Sequence, residues 1–150
     1  MKLKRILKRK GYTSIKLNRT TTNHFEVKAS INGVKGRFIL DTGASNSCID
    51  FKYSTFFKLD VQSSKILASG AGATDMLTQQ SLSNRIELKD WCYLNLHLVL
   101  FDLSHVNTAL TQHKAKAVHG IIGADILQKG KAIIDYKNNR LYLKKLIYKL

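Results

Sequence analysis

The stretch Arg37-Phe38-Ile39-Leu40-Asp41-Thr42-Gly43-Ala44-Ser45 is an apolar run that ends abruptly in an acid, a small hydroxyl residue and a glycine. Apolar residues ahead of Asp41 read as a buried strand. Gly43 has no Cβ to forbid unusual dihedrals, so the chain is expected to turn sharply there. Asp41 is then placed at the end of a rigid element, half sheltered, where a carboxylate can be held and its pKa tuned. The plain alternative is a strand that ends in an ordinary Asp-containing turn. A bare Asp-Thr-Gly triplet does not separate the two, because short motifs recur by chance.

The flanks supply context. Upstream, Phe25, Val27, Ala29 and Ile31 alternate with polar residues, Asn32-Gly33 follows, and Val34, Gly36, Phe38 and Leu40 alternate again. This predicts a hairpin, since Asn and Gly tolerate the positive φ of a type I′ turn, and its second strand should be central and buried. Downstream, 47–50 reads as a short strand, and Asp50 as the N-cap of a helix over Phe51 to Leu59 with Phe56, Phe57 and Leu59 as packing contacts. Lys65 to Leu77 reads as a second hairpin with Gly70, Ala71 and Gly72 at its tip. Arg85 to Leu88 and Cys92 to Phe101 form strands turning near Lys89-Asp90, with Leu94, Leu96, Leu98 and Leu100 facing the core. Ser104 to Val118 is polar and reads as a loop. Ile121-Ile122 restores a strand, Gly123 turns it, and Ala124 to Lys129 make a short helix closed by Gly130. A last hairpin, Ile133 to Tyr136 and Arg140 to Leu143, turns about Asn138-Asn139. Many short strands separated by turn residues argue for a mainly β fold.

Three of these segments, in this order, resemble the retropepsin-like aspartic proteases, in a bacterial-like, single-domain form. They are the Asp41-Thr42-Gly43-Ala44 motif, the glycine-rich run Ala68-Ser69-Gly70-Ala71-Gly72-Ala73-Thr74 where the family carries its flap, and Gly120-Ile121-Ile122-Gly123-Ala124-Asp125-Ile126-Leu127. Agreement of several features is more specific than any one of them. The resemblance extends over roughly Phe25 to Leu143. It implies a small closed β-barrel with a flap hairpin and one or two short helices. It implies Asp41 as the catalytic acid of an endopeptidase, supported by Thr42, Gly43 and Ala44, with Ser69, Gly70, Ala71 and Gly72 covering a peptide or protein substrate. Ile122, Gly123 and Asp125 take structural roles, and no cofactor or metal is implied. The chemistry needs two carboxylates sharing one proton, and the chain holds one such triplet. A two-fold homodimer would bring two Asp41 side chains together, with Thr42 bracing the loops across the axis.

Composition sets outer bounds. At 150 residues and 44% apolar the chain suits one globular domain. Cys48 and Cys92 are the only cysteines, and two free thiols suit a reducing, cytoplasmic setting. No apolar run reaches the ~20 residues of a membrane-spanning helix. The formal charge is +15, and Lys2, Lys4, Arg5, Lys8, Arg9 and Lys10 crowd the start. Residues 1–20 are taken as a basic extension of a 21–150 protease domain. The extension reads as a solvated tail in preference to a nucleic-acid or anionic-surface contact, because no recognition motif accompanies it. Its apolar residues are split by cations, so it fails as a secretory signal. A short amphipathic helix and a frayed terminus both remain open for it.

Rival chemistries are weaker. His24, His97, His105, His113 and His119 show no metal-ligand spacing, and His119 reads as a strand-edge residue. Cys48 reads as a buried structural thiol and Ser45 lacks a nucleophile elbow. Gly70-Ala71-Gly72 lacks the partners of a phosphate loop. Two functions remain: a dimeric aspartic endopeptidase, and a non-catalytic module of the same fold that dimerises or binds a partner.

Overall fold

The computed structural model describes residues 2–63, 68–70, 73–76 and 78–147. The chain runs through α1 (Lys2–Arg9), β1 (Tyr12–Lys16), β2 (Asn18–Arg19), β3 (Phe25–Ile31), β4 (Val34–Leu40) and β5 (Cys48–Asp50). It continues through β6 (Gln62–Ser63), β7 (Ala68–Gly70), β8 (Ala73–Met76), β9 (Gln79–Leu88) and β10 (Trp91–Phe101). α2 (Ser104–Gln112), β11 (Gly120–Ile122), α3 (Ala124–Lys129), β12 (Ile133–Asp135) and β13 (Arg140–Lys144) complete it.

The β3–β4 hairpin forms as its alternation predicts, from Phe25 opposite Leu40 to Ile31 opposite Val34, with Asn32 at φ 51° and Gly33 at φ 83° in the turn. β4 then pairs in parallel with β11, β11 antiparallel with β5, β5 parallel with β10, and β10 antiparallel with β9. β9 returns to β3 through Ser30 opposite Glu87 and Ile31 opposite Ile86, which closes a six-stranded barrel. β4 is buried on both faces. Phe38 points into the barrel with Val27, Ile49, Leu88, Trp91, Leu98 and Ile122, while Ile39 joins a second cluster with Cys48, Leu103, Leu110, Val118 and Ile121. Two-sided burial explains why Phe38-Ile39-Leu40 is continuously apolar rather than alternating. Each large side chain so enclosed is worth about 1.5–3 kcal/mol.

A second sheet, ordered β1-β13-β12, packs at the base of the barrel. Trp91 Nε1 donates to the carbonyl of Lys144 at 2.9 Å and fastens β10 to it. Residues 12–19, placed by sequence in the N-terminal extension, lie in β1 and β2, paired with β13 and β3.

Three expectations require correction. The helix over 51–59 is a single 3₁₀ turn, Phe51–Tyr53, capped by Asp50 and followed by turns that reach positive φ at Lys58. Phe57 still fills the core, but Phe56 is exposed. Leu94 is 50% exposed although Leu96, Leu98 and Leu100 are buried, because irregularities in the β9–β10 register flank Leu96 and change which face follows. The polar segment after Ser104 holds helix α2. Leu103 and Leu110 anchor it, and the buried Asn107 clamps the backbone of Val118, accepting from its N–H at 2.7 Å and donating to its carbonyl at 3.0 Å. Side-chain hydrogen bonds replace part of the apolar stripe that would have marked this helix in sequence. No helix among the described residues is long and apolar enough to cross a membrane.

Candidate active site

Asp41 is the first residue beyond β4. Its N–H donates to the Ile122 carbonyl at 2.9 Å, extending the β4–β11 ladder by one bond. Its own carbonyl accepts from Ala44 N–H at 3.2 Å, and its carboxylate Oδ1 accepts from Gly43 N–H at 2.9 Å. The tight turn therefore fixes the carboxylate by its own backbone. Gly43 does not sit at positive φ; a Cβ there would lie 3.3 Å from Asp41 Oδ1 and crowd the bond that holds it. Asp41, Thr42 and Gly43 are all exposed.

The second motif grips this turn from behind. Ala124 N–H donates to the Ala44 carbonyl at 2.7 Å, and a Cβ on Gly123 would fall 2.4 Å from that same oxygen. The close approach of the two loops thus requires glycine at 123. Ser47 completes the joint. Its Oγ accepts from Gly123 N–H at 2.9 Å and donates to Asp125 Oδ1 at 2.7 Å, while Ser47 N–H donates to Asp125 Oδ2 at 2.9 Å. Ile126 N–H also reaches Asp125 Oδ1. The Asp125 carboxylate is thus occupied with hydrogen bonds to Ser47 and Ile126, and Ile122 is buried in β11. Sequence reasoning assigned Ser47 no part in the site. Its one sequence signal is a hydroxyl ahead of the Cys48-Ile49 strand, and it is 1% exposed.

A cleft of about 480 Å³ opens beside Asp41. Ile39, Leu40 and Ile121 form its floor and Val106 and Leu110 of α2 one wall; Asp41 is the one acid that lines it among the described residues. The helix that sequence read as a loop therefore borders the cleft. On the other flank, Thr42 adjoins a shallow, open depression with Ala124, Leu127, Ala132 and Ile134.

Of the expected flap, Ser69 and Gly70 lie in β7, which pairs antiparallel with β8. Ala71 and Gly72 lie outside the described residues. His119 is held structurally: Arg37 N–H donates to its Nδ1 at 3.0 Å, Phe56 stacks on it at 5.4 Å, and burial, with Arg37 nearby, lowers its pKa. Burial pushes the Cys48 thiol up to about 12, which keeps it protonated and unreactive. Among the described residues no cluster of histidine, cysteine and acid is placed to hold a metal ion.

Comparison with known proteins agrees with this architecture. A family profile described as aspartyl protease matches residues 27–126. The fold is similar to a retropepsin-like aspartic protease from Rickettsia conorii, with a TM-score of 0.59 at 19% identity over 90% of this chain and 91% of that one. It is also similar to EIAV protease, solved with the inhibitor HBY-793, with a TM-score of 0.56 at 20% identity over 73% of this chain and 90% of that one. The retroviral protease-like domain of Ddi1 from Leishmania major matches with a TM-score of 0.54 at 20% identity over 81% and 88%. No curated protein matches the chain significantly. With the profile spanning two thirds of its length and the closed barrel beneath it, the chain belongs to the aspartyl protease family and has the retropepsin-like fold.

Proposed function

We propose that the protein is an aspartic endopeptidase whose site is completed by a second copy of the chain, with two Asp41 carboxylates meeting at a two-fold axis. The observation that carries this reading is Asp41 itself: exposed, fixed through Oδ1 by Gly43 N–H, and among the described residues the one acid along an apolar cleft. A half-site of this kind is what an isologous dimer would complete, because such an interface sets identical residues against each other. The exposed Thr42 and the apolar depression beside it supply a surface for that contact.

Two carboxylates at hydrogen-bond distance cannot both ionise, so they share one proton. The ionised Asp41 takes a proton from a water as the water oxygen bonds to the scissile carbonyl carbon. The protonated Asp41 of the other copy gives its proton to the carbonyl oxygen. The tetrahedral diol then collapses. One hydroxyl returns its proton to a carboxylate, the C–N bond breaks, and the other Asp41 protonates the departing amine. The cleft floored by Ile39 and Ile121 would take an apolar side chain of the peptide. Ser69, Gly70, Ala71 and Gly72 would lie over it as the flap.

The test is cleavage of a peptide library by the native chain and by Asp41→Asn. Cleavage that vanishes with Asp41→Asn, and specific activity that falls on dilution as light scattering reports monomer, is the expected pair of results. Undiminished cleavage by Asp41→Asn would remove the reading. A dimer that binds peptides without cutting them would identify a binding module instead.

A further inference from the structure

α1 carries charge of one sign only. Its eight residues carry Lys2, Lys4, Arg5, Lys8 and Arg9 and no acid. Leu3, Ile6 and Leu7 share one stripe at helical spacing. Leu7 is 6% exposed and pins the helix to the body, whereas Leu3 and Ile6 are 39% and 48% exposed. Lys4 and Lys8, one turn apart, line a cleft of about 400 Å³ with Lys89, Lys145 and Asp90. The acid there is already matched, with Lys145 Nζ at 2.8 Å and a hydrogen bond from Thr13. Among the described residues, no ion pair involves α1. Lys145 N–H donates to the Gly11 carbonyl at 2.9 Å, so the C-terminal segment leaves beside the end of α1, and its Ile147 is 93% exposed.

Cations alone would suit any polyanion. Exposed aliphatic side chains among them narrow the choice, because a nucleic acid gains little from Leu3, Ile6 and Ile147, while the boundary of a bilayer gains from both sets at once. We propose that α1 and the adjoining C-terminal segment form a docking surface for an anionic phospholipid bilayer. Leu3 and Ile6 enter the boundary between headgroups and acyl chains. Lys4 and Lys8 meet headgroup phosphates, the cleft behind them admitting one headgroup. A single short amphipathic anchor of this type binds shallowly and reversibly, and salt weakens it. In this proposal the segment that reads as a solvated tail is a helix with a task, independent of the chemistry at Asp41.

The experiment is sedimentation of the full chain with vesicles of phosphatidylcholine alone and of phosphatidylcholine enriched in phosphatidylserine. Partition should favour the anionic vesicles by at least about tenfold and fall steeply as salt rises. Lys4→Glu/Lys8→Glu should lose about tenfold or more in that partition. Leu3→Ser/Ile6→Ser should lose a comparable factor while its affinity for a single-stranded RNA oligonucleotide stays unchanged. Near-ultraviolet circular dichroism of the buried Trp91 verifies folding in each case. Equal partition to neutral and anionic vesicles would overturn the proposal. So would unaltered partition of folded Leu3→Ser/Ile6→Ser, or loss of vesicle binding to RNA that the variants bind less tightly in parallel.

Discussion

At the scale of single residues, the geometry around Asp41 depends on a hydroxyl that never touches it. Ser47 Oγ stands between Gly123 N–H and Asp125, and so couples the turn after β4 to the start of α3. Ser47→Ala would leave the buried Gly123 N–H without its partner and take one of two donors from Asp125 Oδ1, which keeps the Ile126 N–H. The expected cost is about 1–3 kcal/mol, read as a lower urea midpoint at unchanged m-value. If the joint positions Asp41, kcat should fall as well at denaturant-free conditions where the variant remains folded. The motif containing Asp41 was legible in sequence because its reasons are local: an apolar strand, an acid and a turn within nine residues. Ser47 was not, because its partner lies 78 positions away and a lone serine carries no mark of that contact.

At the scale of elements, α2 shows how a helix escapes pattern reading. Its sequence, Ser-His-Val-Asn-Thr-Ala-Leu-Thr-Gln, has few apolar residues, and one of its two buried positions is an asparagine. Part of its anchoring comes from the two bonds between Asn107 and Val118 in place of a full hydrophobic stripe. Asn107→Ala should release that end of the helix at a cost of about 1–3 kcal/mol. Since Val106 and Leu110 wall the cleft beside Asp41, KM for peptide should rise more than kcat falls. An unchanged KM in a folded Asn107→Ala protein would detach α2 from substrate binding. The hairpins, in contrast, were legible from Asn-Gly and from clean alternation. Leu94 broke that alternation because a bulge depends on the partner strand, which the sequence of β10 alone does not contain.

At the scale of the whole molecule, the barrel and the β1-β13-β12 sheet are joined near the turn between β9 and β10. Asp90 accepts from Lys145 and from Thr13 of β1, and these bonds, Lys145 foremost, hold its pKa down to about 2. A carboxylate depressed in the folded state contributes stability above its unfolded value of about 3.9, and that contribution fades as pH drops through the folded value. The gap in unfolding free energy between the native chain and Asp90→Asn should therefore be full at neutral pH and shrink between about pH 4 and pH 2. Asp90 is half exposed, so screening limits the gap to about 1 kcal/mol or less. A gap that stayed constant to pH 2 would show that the ion pair contributes nothing. Closure of the barrel was legible only as a fold class. The β3–β9 pairing that closes it joins residues more than fifty positions apart, and no local signal announces it.

The parallel pairing of β4 with β11 also sets an order of events. Asp41 and Ile122 are separated by most of the chain, so the bond between them waits on closing a very long loop, and such loops form late on the path from coil to native state. A chain still emerging from the ribosome carries the acid of its motif but not β11, Gly123 and Asp125, which hold the turn in place. Topology thus leaves the Asp41 carboxylate unplaced during synthesis until the segment through Asp125 has been made and folded around it.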